Sequence, residues 1–223
     1  IIKGQDRHCF KSIKQEDFET QYDIGDVIQS SYRMSASITR YFFNQNASRA
    51  RVDALRNTLN HYSYLSPHYQ YSSSFGDKNT QSLNVISIPS ILYGSKIKKG
   101  TVELKYYITG TLVAEISDYR MNGDLVQVRS LAGTGDGLVA GSVLYNEGVL
   151  VLSGAWALDS KTFEYENTDN PKWIYFGHGA NDGNSAGVAS LTSLSSSYLL
   201  SYSGSQDIQT MTLLAKANYD KLN

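Results

Sequence analysis

Residues 91 to 110 read ILYGSKIKKGTVELKYYITG, and how this stretch folds decides the class of the whole chain. Two runs rich in β-forming residues flank a short basic turn. In the second run Val102, Leu104 and Tyr106 alternate with Glu103, Lys105 and Tyr107. A period of two sets one face of a strand on a core and the other in water. The expectation is a hairpin from Ile91 to Gly110.

Downstream the same pattern continues. Gly110-Thr111 makes a short turn into LVAEIS, and RMNGDLVQV carries Asn122-Gly123. That pair suits a two-residue type I′ turn, in which both central residues take positive φ. SVLYNEGVLVLSGAWAL repeats the device with Asn146-Glu147-Gly148. Successive antiparallel strands are expected, with Val102, Leu104, Leu112, Val126, Val128, Leu150 and Leu152 pointing inward. Upstream, SLNVISIPSIL alternates imperfectly, and Pro89 marks a bulge or an edge. Further strand candidates are KWIYFG, SLTSLSSSYLLSYSGS and IQTMTLLAKANY, with the loop GHGANDGNSAG between the first two. Turn signals at intervals of roughly ten residues indicate a sandwich or barrel and argue against βαβ units.

Nearer the N-terminus, VIQSSYRMSASITRYFF places Tyr32, Met34, Ala36, Ile38 and Arg40 on one strand face. NQNASRARVDALRNTLNHYSYLSP then reads as a helix near residues 47–63, with polar capping candidates before it and Pro67 beyond it. Val52, Leu55, Leu59 and Tyr62 recur at helical spacing, which gives one narrow face to dock on a sheet. Arg49, Arg51 and Arg56 fall largely off that face and read as solvated. The fold expected is mainly β: an antiparallel, jelly-roll-like β-sandwich over residues 25–223 with one docked α-helix. Residues 1–24 lack periodicity and read as an N-terminal connector ordered by a partner or by a longer chain.

Composition narrows the function classes. At 41% hydrophobic and 18% charged, 223 residues suffice to bury a core, so disorder is not the default. A net charge of −1 supplies no global field to draw nucleic acid or an acidic membrane. No run approaches the roughly 18 apolar residues of a membrane helix. Cys9 is the only cysteine, so no intrachain disulfide forms, which fits folding in a reducing cytoplasm. The opening IIKGQDRHCF has no signal-peptide core and no initiator Met, so a fragment of a longer protein is expected. The 17 tyrosines are the outlier, suited both to strands and to interfaces.

No chemical motif selects a catalytic centre. LAGTGDGLVAG (131–141) fits a dinucleotide loop loosely, yet a β-rich segment follows it where a helix N-terminus would be needed, so a mobile or interface-ordered loop is expected. His8, His61, His68 and His178 are scattered, and Asp169, Asp182 and Asn184 do not match a calcium loop. No metal or cofactor is expected. Cys9 sits in a charged stretch without a positioned base. Among Glu103, Glu115, Glu147, Glu164 and Glu166, no motif picks out a pair for glycoside cleavage. Trp156, Trp173, Tyr175 and Phe176 are candidate ligand or interface aromatics. Burial of both tryptophans in a sandwich core is the favoured alternative.

SLNVISIPSILYGSKIKKGTVELKYYITGTLVAEISD, VLYNEGVLVLSGAW, NTLNHYSYLSPHYQYSSSFGDKNTQSLN and TMTLLAKANYDKLN together resemble a family of virion structural proteins of tailed bacteriophages. The family is met especially in T4-like phages of marine cyanobacteria. The resemblance covers most of the chain from about residue 30 onward and implies a part of a particle, in the baseplate or a tail fibre, with no reaction of its own. The location it implies is the virion, assembled in the host cytoplasm. The partners it implies are other virion proteins and further copies of this chain, with no nucleic acid and no membrane. A receptor- or carbohydrate-binding module that meets a host surface glycan is the alternative.

Overall fold

In the computed structural model the described residues are 2–3, 11–12, 38–44, 50–165, 168–180, 194–207 and 210–213. The centre is one eight-stranded antiparallel sheet. Its strands are β1 (Thr39–Phe43), β2 (Leu83–Ser87), β3 (Glu103–Ile108), β4 (Thr111–Ser117), β5 (Asp124–Ser130), β6 (Val139–Leu144), β7 (Val149–Leu152) and β8 (Ser196–Ser201). In space the order is β8-β3-β4-β5-β6-β7-β2-β1, so β3 to β7 form a meander of sequence neighbours.

The fold is mainly β and sandwich-like, with one sheet supplying the layers. Ile86, Leu104, Tyr106, Ile116, Leu125, Ala140, Leu150 and Leu152 come from β2 to β7 yet belong to one buried cluster, so the sheet curls over its own inner face. Leu158, Tyr165, Trp173 and Phe176 fill that cluster from the chain after β7. On the opposite face Phe43, Leu83, Leu144, Val149 and Val151 meet Val52, Leu59, Tyr62, Tyr69 and Tyr71. All four residues of β7 are buried, Val149 and Val151 beneath the helix and Leu150 and Leu152 on the inner face.

The docked helix is two short pieces, α1 (Ala50–Ala54) and α2 (Arg56–His61), continued by a 3₁₀ turn over Tyr62–Tyr64. Val52, Leu59 and Tyr62 face the sheet as their spacing requires, and Leu55, at the break, is half-buried. Ile38, just before β1, and Arg40 within it are both buried.

Several local expectations are corrected. Residues 91–110 do not form a hairpin: Ser90–Leu92 is a 3₁₀ turn, and Lys96–Ile97 pairs with Gly204–Ser205. The hairpin comes one strand later, β3 to β4, across Thr109 and Gly110 with φ of 48° and 80°, the two positive values of a type I′ turn. The Asn122-Gly123 connection is longer than two residues, and its positive φ values fall on Met121 and Gly123. Val102, Leu104, Leu150 and Leu152 point inward as expected, but Leu125 and Gln127 take the inner face of β5, so Val126 is buried on the opposite face, and Val128 is 48% exposed. Its neighbours Gln127 and Arg129 oppose Ile116 and Glu115, consecutive residues of β4, so Val128 is the extra residue of a β-bulge. A similar shift opposite Tyr106 and Tyr107 buries Val113 beside Ala114 and leaves Leu112 only half-buried.

Tyrosine serves the interior more than the surface. Tyr62, Tyr69, Tyr71, Tyr93, Tyr106, Tyr145 and Tyr165 are buried. The Tyr106 hydroxyl donates to Tyr175 O at 3.1 Å, and Tyr69 donates to Val143 O. Burial pushes the Tyr106 phenol up to about 12. The hydroxyls thus link sheet and loops from inside the core. Of the expected connector, Ile2–Lys3 pairs antiparallel with Lys11–Ser12. The rest of residues 1–24, and the expectations on Tyr32, Met34, Ala36, Arg49, Glu166, Asp182, Asn184 and 214–223, lie outside the described residues.

Candidate functional site

The basic run Lys96-Ile97-Lys98-Lys99 forms one wall of a cleft of about 420 Å³. Tyr62, Tyr64 and Leu65 from the end of the helix form a second wall, Tyr145 and Asn146 from the β6–β7 connection a third, and Ser205 closes it. Ile97 anchors the basic run: its side chain is buried, and its amide donates to Tyr145 O at 2.9 Å. The amide of Lys98 donates to Ser203 O at 2.8 Å. Alternation about buried Ile97 leaves the flanking lysines on the open side, with Lys98 and Lys99 exposed.

Asp118 fixes this wall from behind. It is fully buried just after β4, and its carboxylate accepts from Gly100 N at 2.8 Å, Val102 N at 2.8 Å and the Tyr145 hydroxyl at 2.9 Å. One carboxylate therefore ties the end of the basic turn to the β6–β7 connection. Burial, reinforced by the Asp118 charge, raises the Tyr145 phenol and keeps it protonated. Across the cleft the Tyr62 hydroxyl accepts from Asn146 Nδ2 at 2.7 Å and donates to Glu147 Oε1 at 3.2 Å. Tyr93 donates to Asn146 O at 3.1 Å, which fixes the same connection again.

The electrostatics are one-sided. Lys96 pairs with Asp207 at 3.0 Å, and Lys99 Nζ lies 5.6 Å from the centre of the Tyr145 ring. Among the described residues neither Lys98 nor Lys99 meets a carboxylate, and none of the lining residues is acidic. Tyr64 is 74% exposed and offers an open ring face. The charge that lines the cleft is therefore positive.

The aromatics singled out in the sequence lie elsewhere and do not form an open platform. Trp173 and Phe176 are completely buried, and Tyr175 is half-buried, stacked on Tyr165 with centroids 4.2 Å apart. Trp173 and the half-buried Trp156 both donate their indole N–H to Gln127 Oε1, at 2.9 and 2.7 Å. Gln127 Nε2 in turn donates to Thr134 O at 2.6 Å and Asp136 Oδ1 at 2.8 Å. The glycine-rich loop, expected to be mobile or ordered by an interface, is thus tied down within the chain. Gly135, with φ of 81°, presses on the Trp156 indole so closely that a Cβ there would sit 2.1 Å from Nε1. The loop leads into β6, so no helix N-terminus stands where a pyrophosphate would need one.

Glu103 and Glu115 also have a structural role. Lys105 Nζ lies 2.8 Å from Glu103 and 3.9 Å from Glu115, and Arg129 lies 3.2 Å from Glu115. The hydrogen bond from Lys105 holds Glu103 below the usual carboxylate range. Asp169 pairs with Lys172 at 2.6 Å. His61 packs edge-on against Tyr62, and His68 packs against Phe75. Among the described residues no three His, Cys, Asp or Glu side chains gather as metal ligands.

His178 lies buried beside this aromatic layer. Its ring is edge-on to Phe42 at 5.2 Å, close to Tyr175 and Tyr165, and neither ring nitrogen has a hydrogen-bond partner. Burial, followed by the charge of Arg40, lowers it to about 3. Below its unfolded value near 6.5 the unfolded chain binds a proton that the folded chain refuses, so stability is lost as pH falls from about 6.5 towards 3. Between pH 6.5 and pH 5 the loss from this group is about 2 kcal/mol. Urea unfolding at both pH values checks this: His178→Phe should remove that part of the acid sensitivity. An undiminished pH dependence in the variant would refute it.

Sequence reasoning missed the cleft because its walls are separated by dozens of residues. The signal within reach was Lys96-x-Lys98-Lys99 itself, three cations around one apolar residue. In comparisons with protein-family models, with curated proteins and with solved structures, nothing matches this chain.

Proposed function

We propose that this chain is a structural subunit of a tailed-phage virion, in the baseplate or a tail fibre, acting through assembly contacts with copies of itself and other virion proteins. One observation carries the reading beyond the resemblance of residues 82–118 and the other stretches quoted with them. Val128, Leu131 and Leu138 are all exposed where β5 ends and β6 begins, and half-buried Leu112 begins the adjoining strand β4. Leu131 is tied to β4 through its amide, which donates to Val113 O at 2.9 Å. Large apolar side chains gathered at one end of a sheet, edged by the Arg129–Glu115 pair at 3.2 Å, have the composition of an interface core with a polar rim.

The bulge at Val128 supports the same reading, because it leaves this exposed apolar side chain without a cross-strand partner on β4. Cross-linking of purified phage particles that contain the chain tests the proposal, with sedimentation of the isolated protein beside it. Cross-links from the 128–138 region to a neighbouring subunit are expected, as is self-association that Leu131→Asp with Leu138→Asp abolishes. A protein that stays monomeric at high concentration and is absent from purified particles would refute the proposal.

A further inference from the structure

We infer that the cleft beside the basic turn is a binding site for a saccharide-sized oxyanion, a ring that carries a carboxylate or a phosphate. The inference rests on the cleft alone and does not depend on a place in a virion. Its volume of about 420 Å³ lies in the range of small-ligand pockets, large enough for one or two sugar rings and too small for a folded partner. Lys98 and Lys99 supply positive charge that no carboxylate of the described residues neutralises, while Lys96 is already paired with Asp207. Charge that is left uncompensated beside a partly enclosed space attracts an anion more strongly than the same lysines on a flat surface.

The rest of the lining suits a ring more than a bare ion. Tyr64 presents an open aromatic face to a ring's C–H surface, and Asn146 and Ser205 can bond hydroxyl groups. The site is also preformed. Asp118 fixes Tyr145, Tyr93 and Tyr62 fix Asn146, and buried Ile97 fixes the lysine run. A ligand therefore meets walls already in place and little ordering cost remains at binding. An acidic peptide would also answer to the lysines, but the enclosed volume and the single open ring favour a compact cyclic ligand.

Calorimetric titration of the whole chain with galacturonate oligosaccharides, glucose 6-phosphate, neutral glucose, inorganic phosphate and oligoglutamate tests this. Saturable binding of the galacturonates or of glucose 6-phosphate is expected, weakening with added salt, and which of the two binds identifies carboxylate or phosphate as the anion. Lys98→Ala with Lys99→Ala should weaken it roughly tenfold or more. Tyr64→Ala should weaken it too, and Lys161→Ala, outside the cleft, should leave it unchanged. All of these residues are exposed, so circular dichroism should show an intact fold. Binding of inorganic phosphate alone, of oligoglutamate alone or of neutral glucose equally well would overturn the inference. So would no saturable binding, or binding indifferent to Lys98 and Lys99.

Discussion

Asp118→Ala is expected to destabilise the protein by about 3–5 kcal/mol, which lowers its melting temperature by on the order of 10 °C. The carboxylate is fully buried and accepts from Gly100 N, Val102 N and the Tyr145 hydroxyl. Alanine removes all three acceptor contacts at once and leaves donors that packed side chains keep from water. Hydrogen bonds to an ionised acceptor are the stronger kind, and an orphaned buried donor costs more than the bond contributed. Asp118→Asn keeps one carbonyl oxygen and should cost less, about 1–3 kcal/mol. Urea unfolding of the three proteins gives the comparison. A loss under about 1 kcal/mol for alanine would mean that the turn can satisfy its amides in another way. The same variant should loosen the basic turn, seen as faster amide exchange from Lys98 to Val102.

Gln127→Ala should cost about 3–4 kcal/mol, and for a different reason. Gln127 is buried with both faces of its amide in use: Oε1 accepts from the two indole N–H groups, and Nε2 donates to Thr134 O and Asp136 Oδ1. The two tryptophans fare unequally when the acceptor goes. Trp156 is half-buried and can turn to water, whereas Trp173 is completely buried and cannot. Tryptophan emission should therefore shift to the red mainly through Trp156, with the stability loss set mainly by Trp173. Trp156→Phe in the Gln127→Ala background should abolish the red shift and recover little stability. Unchanged emission in Gln127→Ala would contradict the shared-acceptor geometry.

What could be read from the sequence follows from how local each feature is. The alternation Val102, Leu104, Tyr106 is a property of one strand, and it survives folding because β3 is paired on both sides in regular register over that run. Helical spacing places Val52, Leu59 and Tyr62 correctly for the same reason. The inward expectation for Val126 and Val128 fails because Leu125 and Gln127 take the inner face, a choice of phase that a polar Gln hides, and no periodicity within β5 reports the bulge that β4 imposes at Val128. The positive φ values fall on Met121 and Gly123 because the connection first closes a turn of its own, with Met121 N donating to Asp118 O at 2.8 Å, which a two-residue signal at Asn122-Gly123 does not report. Gln127 is invisible to pattern reading: an exposed strand amide and a buried four-bond hub are the same letter. The cleft is less legible still, since Tyr64, Lys98, Asn146 and Ser205 share no segment.

The strand order also has a consequence in time. From β4 to β7 every strand pairs with the one just before it, so each pairing closes only a short loop. Loop closure is cheap there, and such a meander can zip up as soon as its residues are available. β2 must wait for β7, and β8 must return to β3 across the whole meander. The edges are then the late events of folding, and β1 at one edge and β8 at the other come from opposite halves of the chain. A nascent chain on the ribosome would hold a finished meander with one flank unsealed until β8 emerges. Of the whole course of folding, that interval is when the inner core is most open to aggregation.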